Sequence, residues 1–366
     1  MPKKLIIAEK PSVAADIART LGGFTRKGEY FESDKYVLSS AVGHLLQLTL
    51  PPEHDVKKGK WSFANLPVVP PHFDLAPIEK SESRLNILLK LLKRKDVSGI
   101  INACDAGREG ELIFRYIAQY SKTKKPIERL WLQSMTQSAI RDGFAVLRQG
   151  RDLLPLADAA KSRSEADWLV GINGTRAMTA FNSKEGGFYL TTVGRVQTPT
   201  LAILVEREEK IRAFQPRDYW EVHARFGAAA GEYAGRWFDS DFKKDDDAER
   251  KAERLWKAER AEAIAAASTA KPGTATEETK PSTQASPLLY DLTSLQREAN
   301  GRFGFSAKGT LSLAQSLYER HKALTYPRTD ARALPEDYVA TVKKTMDALA
   351  GVKEFAPFAK QVLKSG

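Results

Sequence analysis

Two short apolar runs, Leu5-Ile6-Ile7-Ala8 and Ile100-Ile101-Asn102-Ala103-Cys104, each end in an acid and pass at once into a helix-forming stretch. Runs of four or five such residues are short for helices and suit strands buried on both faces of a sheet. After the first, Glu9-Lys10-Pro11-Ser12 leads into VAADIARTL, with proline at the helix start. After the second, Asp105-Ala106-Gly107-Arg108-Glu109-Gly110-Glu111 opens an amphipathic stretch that ends at Tyr120, and Ser83–Lys95, rich in Leu and Lys, reads as a further helix. Strands alternating with helices dictate an α/β fold with a largely parallel sheet, expected over residues 1–150.

The remaining pattern changes three times. Residues 151–215 are helical: KSRSEADWLVGINGTRAMTAF forms one helix and TPTLAILVEREEKI another, with Thr198 as cap and Pro199 at the first helical position. Over 216–286, YWEVHARF and EYAGRWF alternate as strands do, and DDDAERKAERLWKAERAEAIAAAS reads as one charged, Ala-rich helix. Residues 269–287, rich in Thr, Ser, Pro and Glu, fit a flexible linker or an extended strand or hinge. Residues 287–366 return to short helices around one extended segment, Leu324–Asp330.

Lys and Arg outnumber Asp and Glu by 57 to 46, a net charge of +11 that suits a polyanionic partner but is weak evidence alone. The single cysteine, Cys104, rules out disulfides within the chain and Cys-rich zinc modules; its apolar setting predicts a small packed hydrophobe. No apolar run approaches the ~20 residues that span a bilayer. The expectation is a soluble cytoplasmic protein without a membrane partner, in which the sequon Asn173-Gly174-Thr175 carries no sugar.

Groups just past the carboxyl ends of strands in an open α/β sheet meet in one crevice. Glu9 and Asp105 can therefore converge despite their separation in the chain. Clustered carboxylates repel unless a cation joins them, and hard oxygen ligands suit Mg²⁺. The plain alternative for Glu109 and Glu111 is that acids in a first helical turn complement the helix dipole, with Glu111–Arg115 an ordinary i,i+4 pair. A more specific signal is Leu324-Thr325-Tyr326-Pro327-Arg328-Thr329-Asp330. A tyrosine hydroxyl, ordinarily titrating near ~10, is a poor nucleophile at neutral pH. An arginine two residues on can stabilise the phenolate and hold a phosphate in a bidentate grip.

The pairing of Glu9-Lys10-Pro11-Ser12 with the acids after Cys104 resembles the Toprim domain, the phosphoryl-transfer fold shared by topoisomerases, primases and some nucleases. That pattern has a Glu after the first strand and DxDxE after a later one. Gly107 stands where the middle acid belongs, which favours a single Mg²⁺ on Glu9 and Asp105, with Glu109 as a further ligand and Glu111 making up part of the lost charge. The stretch PLLYDLTSLQREANGRFGFSAKGTLSLAQSLYERHKALTYPRTDARALP is similar, almost without interruption, to the nucleophile domain of type IA topoisomerases of the bacterial topoisomerase III group. The resemblance implies that Tyr326 attacks a phosphodiester of one DNA strand, keeps the 5′ phosphate as a phosphotyrosine and frees a 3′ hydroxyl. Arg328 would hold the phosphate, while Glu9, Lys10 and Mg²⁺ serve the 3′ oxygen. Religation then needs no ATP, and the sequence has no GxxxxGK[ST].

Further segments match in the family's order. Trp61 in KWSFANLPVVP, Trp168 and Arg176 in ADWLVGINGTRAMT, and Thr192, Val193, Gly194, Arg195, Val196 and Gln197 in TTVGRVQTPTL resemble parts that line its DNA groove. Aromatic side chains offer bases a stacking surface, and amides at a helix start favour phosphate. Taken singly, Trp168 beside Leu169 is a core residue, Arg176 a surface charge and His44 a structural histidine. The implied architecture is a Toprim α/β domain (1–150), a helical gate segment (151–215), a β-rich arch segment with helix and hinge (216–286) and a winged-helix-like domain carrying Tyr326 (287–366). Family members continue beyond the point where this chain ends, so a shortened, multidomain protein is expected. The implied partner is single-stranded DNA, with a monomer as the working expectation and a helicase as a candidate associate; relaxation and decatenation both fit. Two rivals stand beside this expectation: a Toprim nuclease or primase using the acids alone, and a shortened chain that binds single strands without turnover.

Overall fold

A computed structural model describes residues 2–55 and 61–365. The chain forms two compact units, one of Met1–Thr198 with Pro287–Gly366 and one of Pro199–Ser286. The first contains β1 (Lys3–Ala8), α1 (Pro11–Leu21), β2 (Thr25–Lys27), β3 (Tyr30–Glu32), β4 (Tyr36–Ser40), β5 (Leu46–Leu48), β6 (Leu75–Pro77), α2 (Glu82–Leu92), β7 (Val97–Ala103), α3 (Arg108–Ser121), β8 (Ile127–Arg129), α4 (Gln137–Ala145) and β9 (Arg148–Gln149). A seven-stranded sheet runs in the order β2-β3-β4-β1-β7-β8-β9. Its central strands β4, β1, β7 and β8 are parallel, as the strand–helix alternation predicts.

Alternate residues of each central strand feed opposite faces of the sheet. Leu5, Ile7, Val37 and Ile100 pack with Leu85, Leu88, Leu112 and Phe114 from α2 and α3. On the other face, Ile6, Leu38 and Ile101 pack with Val13, Ala14 and Ile17 of α1 and with Ile140 of α4. Cys104 is buried as expected, and burial raises its thiol pKa above the usual range. Ala8 lies opposite Ser40 on one side and Ala103 on the other. The carboxyl ends of β1 and β7 are therefore level.

Helix α2 stops at Leu92, short of the expected Lys95. Arg94 instead turns to Glu32 and Asp96, at 2.6 Å from each, and these contacts end the helical run. Arg94 and then Lys3 hold the Glu32 carboxyl down at about 2.

A 29-residue helix, α5 (Leu154–Asn182), follows the sheet. The loop 183–196 then leads to α6 (Gln197–Arg212), which starts one residue before the expected cap. Thr198 does not cap it: its hydroxyl accepts the Gly194 N–H at 3.0 Å, bracing the preceding loop. In the second unit, β10 (His223–Ala228) and β11 (Gly231–Arg236) fall within the two segments read as strands and pair as an antiparallel hairpin.

The long charged helix expected from Asp245 onward is confined to α7 (Ala258–Ser268). Side-chain and sheet pairing win over helix propensity before it. Asp247 pairs with Arg217 at 2.8 Å, Leu255 is buried in a β-bridge with Trp220, and the Trp256 ring meets Tyr219 edge-on. Residues 269–287 form no strand or helix.

Back in the first unit, α8 (Leu292–Phe303) opens with a capping box in which Asp291 Oδ1 accepts the Ser294 N–H at 2.6 Å. Gly304, at φ 69°, takes the left-handed turn into α9 (Ala307–Glu319), and α10 (Val339–Ala350) and α11 (Ala356–Ser365) complete the segment. The helical half of the winged-helix expectation is present, and no strand occurs in 287–365 among the described residues. Among the described residues, no helix is long and apolar enough to cross a membrane.

Glu111 is fully buried, accepting from Arg129 at 3.1 Å, Arg115 at 2.8 Å and the Asn102 amide at 3.0 Å. Arg129 is itself 1% exposed. Removing one partner of a buried pair strands the other, at a typical cost of about 3–5 kcal/mol. Arg129→Met should lose stability on that scale in urea unfolding followed by circular dichroism. Adding Glu111→Leu should recover part of the loss, which a purely steric defect would not allow.

Candidate active site

The level strand ends bring the two predicted acids together. The Asp105 N–H donates to Glu9 Oε2 at 3.2 Å, and Lys10 Nζ reaches Asp105 Oδ2 at 2.7 Å and Glu9 Oε1 at 3.6 Å. Burial, then the adjacent Asp105 charge, raises the Glu9 carboxyl above its ordinary value, with Lys10 pulling the other way. Burial alone would lower the Lys10 pKa, but its hydrogen bond to Asp105 and the two carboxylate charges outweigh that and hold it above the usual lysine range. Lys10 is thus a firmly charged ammonium between two acids.

The loop after β7 owes its shape to Arg129. Its guanidinium donates to the carbonyls of Asn102, Cys104 and Asp105 at 3.2, 2.7 and 2.8 Å. Glu111 is the anchor of this clamp, so the expectation that it adds charge to the cleft is corrected: its carboxylate is buried and fully spent on hydrogen bonds. Gly110 is forced by contact, since a Cβ there would lie 2.2 Å from the Asp105 carbonyl oxygen. Gly107 is not, for a Cβ at that position meets nothing within 4 Å.

Tyr326 arrives from the far end of the chain. The Leu324–Asp330 segment is an irregular loop with bends, not a strand, and Pro327 is buried between the half-buried Tyr326 and the exposed Arg328. Lys10 Nζ donates to Tyr326 Oη at 3.2 Å and lies 4.3 Å from the ring centroid. Tyr318 of α9 packs edge-on against the same ring at 5.6 Å. Lys322, in a left-handed turn after α9, reaches Asp16 of α1 at 3.2 Å. On the other side, Asp337 accepts from Ser134 and Thr136 at 2.7 and 2.6 Å.

Glu9, Asp105, Glu109, His44, Arg163 and Tyr326 line one cleft of about 470 Å³. Glu109 turns towards His44, 3.4 Å away. Arg163, from α5, escaped the sequence reading because a single arginine on a helix carries no local signal. Tyr318 escaped for the same reason, and Arg129 because nothing marked Glu111 as its buried partner.

The predicted groove residues gather on α5. Trp168 meets Phe73 edge-on at 5.5 Å, and Trp61 meets Phe188 at 5.8 Å. Arg176 is 5% exposed, donates to the His54 carbonyl at 3.0 Å and lies over the Trp61 ring at 5.5 Å. Arg176 is therefore not the surface charge that the residue suggests when read singly: its guanidinium is enclosed and stacks on Trp61. The Thr192–Gln197 loop is tied to α5: the Val193 N–H donates to Thr175 at 3.0 Å, and Arg195 pairs with Asp167 at 2.7 Å. A Cβ at Gly174 would come within 2.8 Å of Val193, so glycine there permits the approach. Asn173, the sequon residue, is engaged with the backbone of Val68 and Leu169.

The sequence matches the Toprim domain over residues 4–135 and the DNA topoisomerase family over residues 154–366. The chain belongs to the type IA DNA topoisomerase family. It is 42% identical over its whole length to the DNA topoisomerase 3 of Bacillus cereus and 44% identical over 99% of its length to that of Shouchella clausii. It spans about half of these relatives, 48% and 47% of their lengths. A full-length topoisomerase I from Thermotoga maritima has the same fold, with a TM-score of 0.59 at 22% identity, covering 96% of this chain and 53% of that one.

Toprim domains bind a divalent metal, and the donors in this type IA topoisomerase chain fit one. Glu9 and Asp105 offer hard oxygens, and their mutual repulsion is only partly offset by Lys10. Among the described residues no three His, Cys, Asp or Glu side chains form a ready cage. Two carboxylates, with waters completing the shell, are a sufficient donor set for a small hard cation.

The two glycines give a paired test of the acid loop. Gly110→Ala should cost about 1–3 kcal/mol through backbone displacement, read by urea unfolding. Gly107→Ala should leave the unfolding midpoint unchanged.

Proposed function

We propose that this chain cuts one strand of DNA with Tyr326 and reseals it without ATP. It would act in the cytoplasm as part of a Mg²⁺-dependent type IA topoisomerase that relaxes negative supercoils or decatenates DNA. The observation that carries this reading is the Lys10 ammonium, which touches both the Asp105 carboxylate and the Tyr326 hydroxyl.

A positive charge beside the phenol oxygen stabilises the negative charge that develops as its proton passes to solvent. Oη then bonds to phosphorus while the P–O3′ bond breaks, leaving a 5′-phosphotyrosine and a 3′ oxygen that takes up a proton. Lys10 is the nearest ammonium able to give that proton and to recover it when the 3′ hydroxyl attacks in reverse. Arg328, exposed on the same loop, is suited to hold the phosphate. Mg²⁺ held by Glu9 and Asp105, with Glu109 within reach of the same cleft, would supply charge for the phosphate and the 3′ oxygen. The absence of a carboxylate at Gly107 favours one ion over two. Trp61, Trp168 and the Thr192–Gln197 loop would carry the strand along α5. In this scheme residues 1–150 supply the acids, 151–215 the DNA track, 216–286 the arch and 287–366 the nucleophile. A helicase is a reasonable associate for the complete protein, and a monomer the simplest active form.

Incubation with a labelled single-stranded oligonucleotide, followed by denaturant, should yield protein-linked label on the 5′ phosphate side. Tyr326→Phe should abolish it, and Lys10→Ala should slow its appearance on the order of 10²-fold or more. Free cleavage products without an adduct would favour a nuclease, and binding alone an inert fragment. Asp105→Asn should weaken Mg²⁺ binding measured by calorimetry; unchanged affinity would remove Asp105 from the metal site.

A further inference from the structure

Tyr326 lines two clefts. The acid cleft holds Glu9, Asp105 and Glu109, and the second, of about 750 Å³, is lined by the segment after β8, the turn before α8 and the Thr325–Pro335 loop. Lys10, Asp105, Tyr326 and Arg328 line it as well as serving the cutting step, and the rest of its lining has no part in that step. Its walls mix apolar and polar side chains and carry, besides Tyr326, the rings of Trp131, Tyr290, Tyr318 and Tyr338. That volume falls within the range of small-ligand sites.

The chemistry assigns an occupant. In phosphoryl transfer the attacking and leaving oxygens lie roughly in line, on opposite sides of phosphorus. If the 3′ oxygen departs beside the acids, the nucleotide still joined through its 5′ phosphate stays on the tyrosine side, where the second cleft is the open space. Its wall is fixed in place. Arg332 donates to the Leu289 carbonyl at 3.0 Å, and the Tyr290 hydroxyl is hydrogen-bonded to Glu298 of α8. With its hydroxyl engaged and 52% of the residue exposed, Tyr290 has ring surface to offer. Trp131, which also lines the cleft, is held by the guanidiniums of Arg129 and Arg148, each 5.1 Å from its ring.

We infer that this second cleft receives the nucleotide immediately 3′ of the cut, with its base stacked on Tyr290 and its 5′ phosphate held by Arg328. The inference rests on the proposed cleavage by Tyr326. Stacking accepts every base, so the subsite retains the strand without reading its sequence.

The test needs no cleavage. The probe is a 5′-phosphorylated trinucleotide with 2-aminopurine as its 5′ base, titrated into the full chain by fluorescence. Binding should quench the fluorophore. Tyr290→Leu should weaken affinity about 10-fold, whereas Tyr290→Phe, which keeps the ring, should bind as the parent does. Arg328→Ala, or omission of the 5′ phosphate, should weaken binding, and combining the two should add no further loss. Unchanged quenching and affinity in Tyr290→Leu would overturn the inference. So would equal loss in Tyr290→Phe, which would mark the Glu298 hydrogen bond, not stacking, as the cause. Adduct formation in the oligonucleotide assay is scored separately, so failure of cleavage is distinguishable from failure of this subsite.

Discussion

The buried Arg129–Glu111 pair organises the acid edge of the sheet. Two charges removed from water are favourable only when their remaining hydrogen-bonding capacity is met. Arg129 meets its own by drawing in the carbonyls of Asn102, Cys104 and Asp105. The backbone that presents the Asp105 carboxylate is thereby held from behind by a side chain that never touches the cleft. Gly110 completes the arrangement by letting α3 begin against the Asp105 carbonyl.

On that base, one lysine does two jobs. Lys10 balances Glu9 and Asp105 and also rests on the Tyr326 ring. The carboxylates keep it charged against the pull of burial. Its ammonium is therefore a dependable partner for an oxygen that must become negative.

Much of this was legible in the residues. The apolar runs ending at Ala8 and Cys104 announced parallel strands, and strand-end geometry predicted that Glu9 and Asp105 would meet. Tyr326 was legible through the resemblance carried by its surrounding segment, since a lone Tyr-Pro-Arg says little. Other features were hidden for physical reasons. Glu111 looked like any acid in a first helical turn, and only the fold supplies Arg129 from a strand 18 residues away. The 245–257 stretch has helical composition, but Leu255 gains more from burial and pairing with Trp220 than from a further helical turn. Arg176 and Trp61 lie far apart in sequence, so their stacking left no trace in either motif.

The seam between the tyrosine segment and the sheet has a particular character. Among the described residues, neither apolar core of the sheet includes one from 287–365. Ties there among the described residues include Lys322 to Asp16, Asp337 to Ser134 and Thr136, and Lys10 to Tyr326. Polar ties of this kind exchange readily for water. The joint is a latch and not a weld: its exposed ion pair and hydrogen bonds are of the kind that dissolved ions screen.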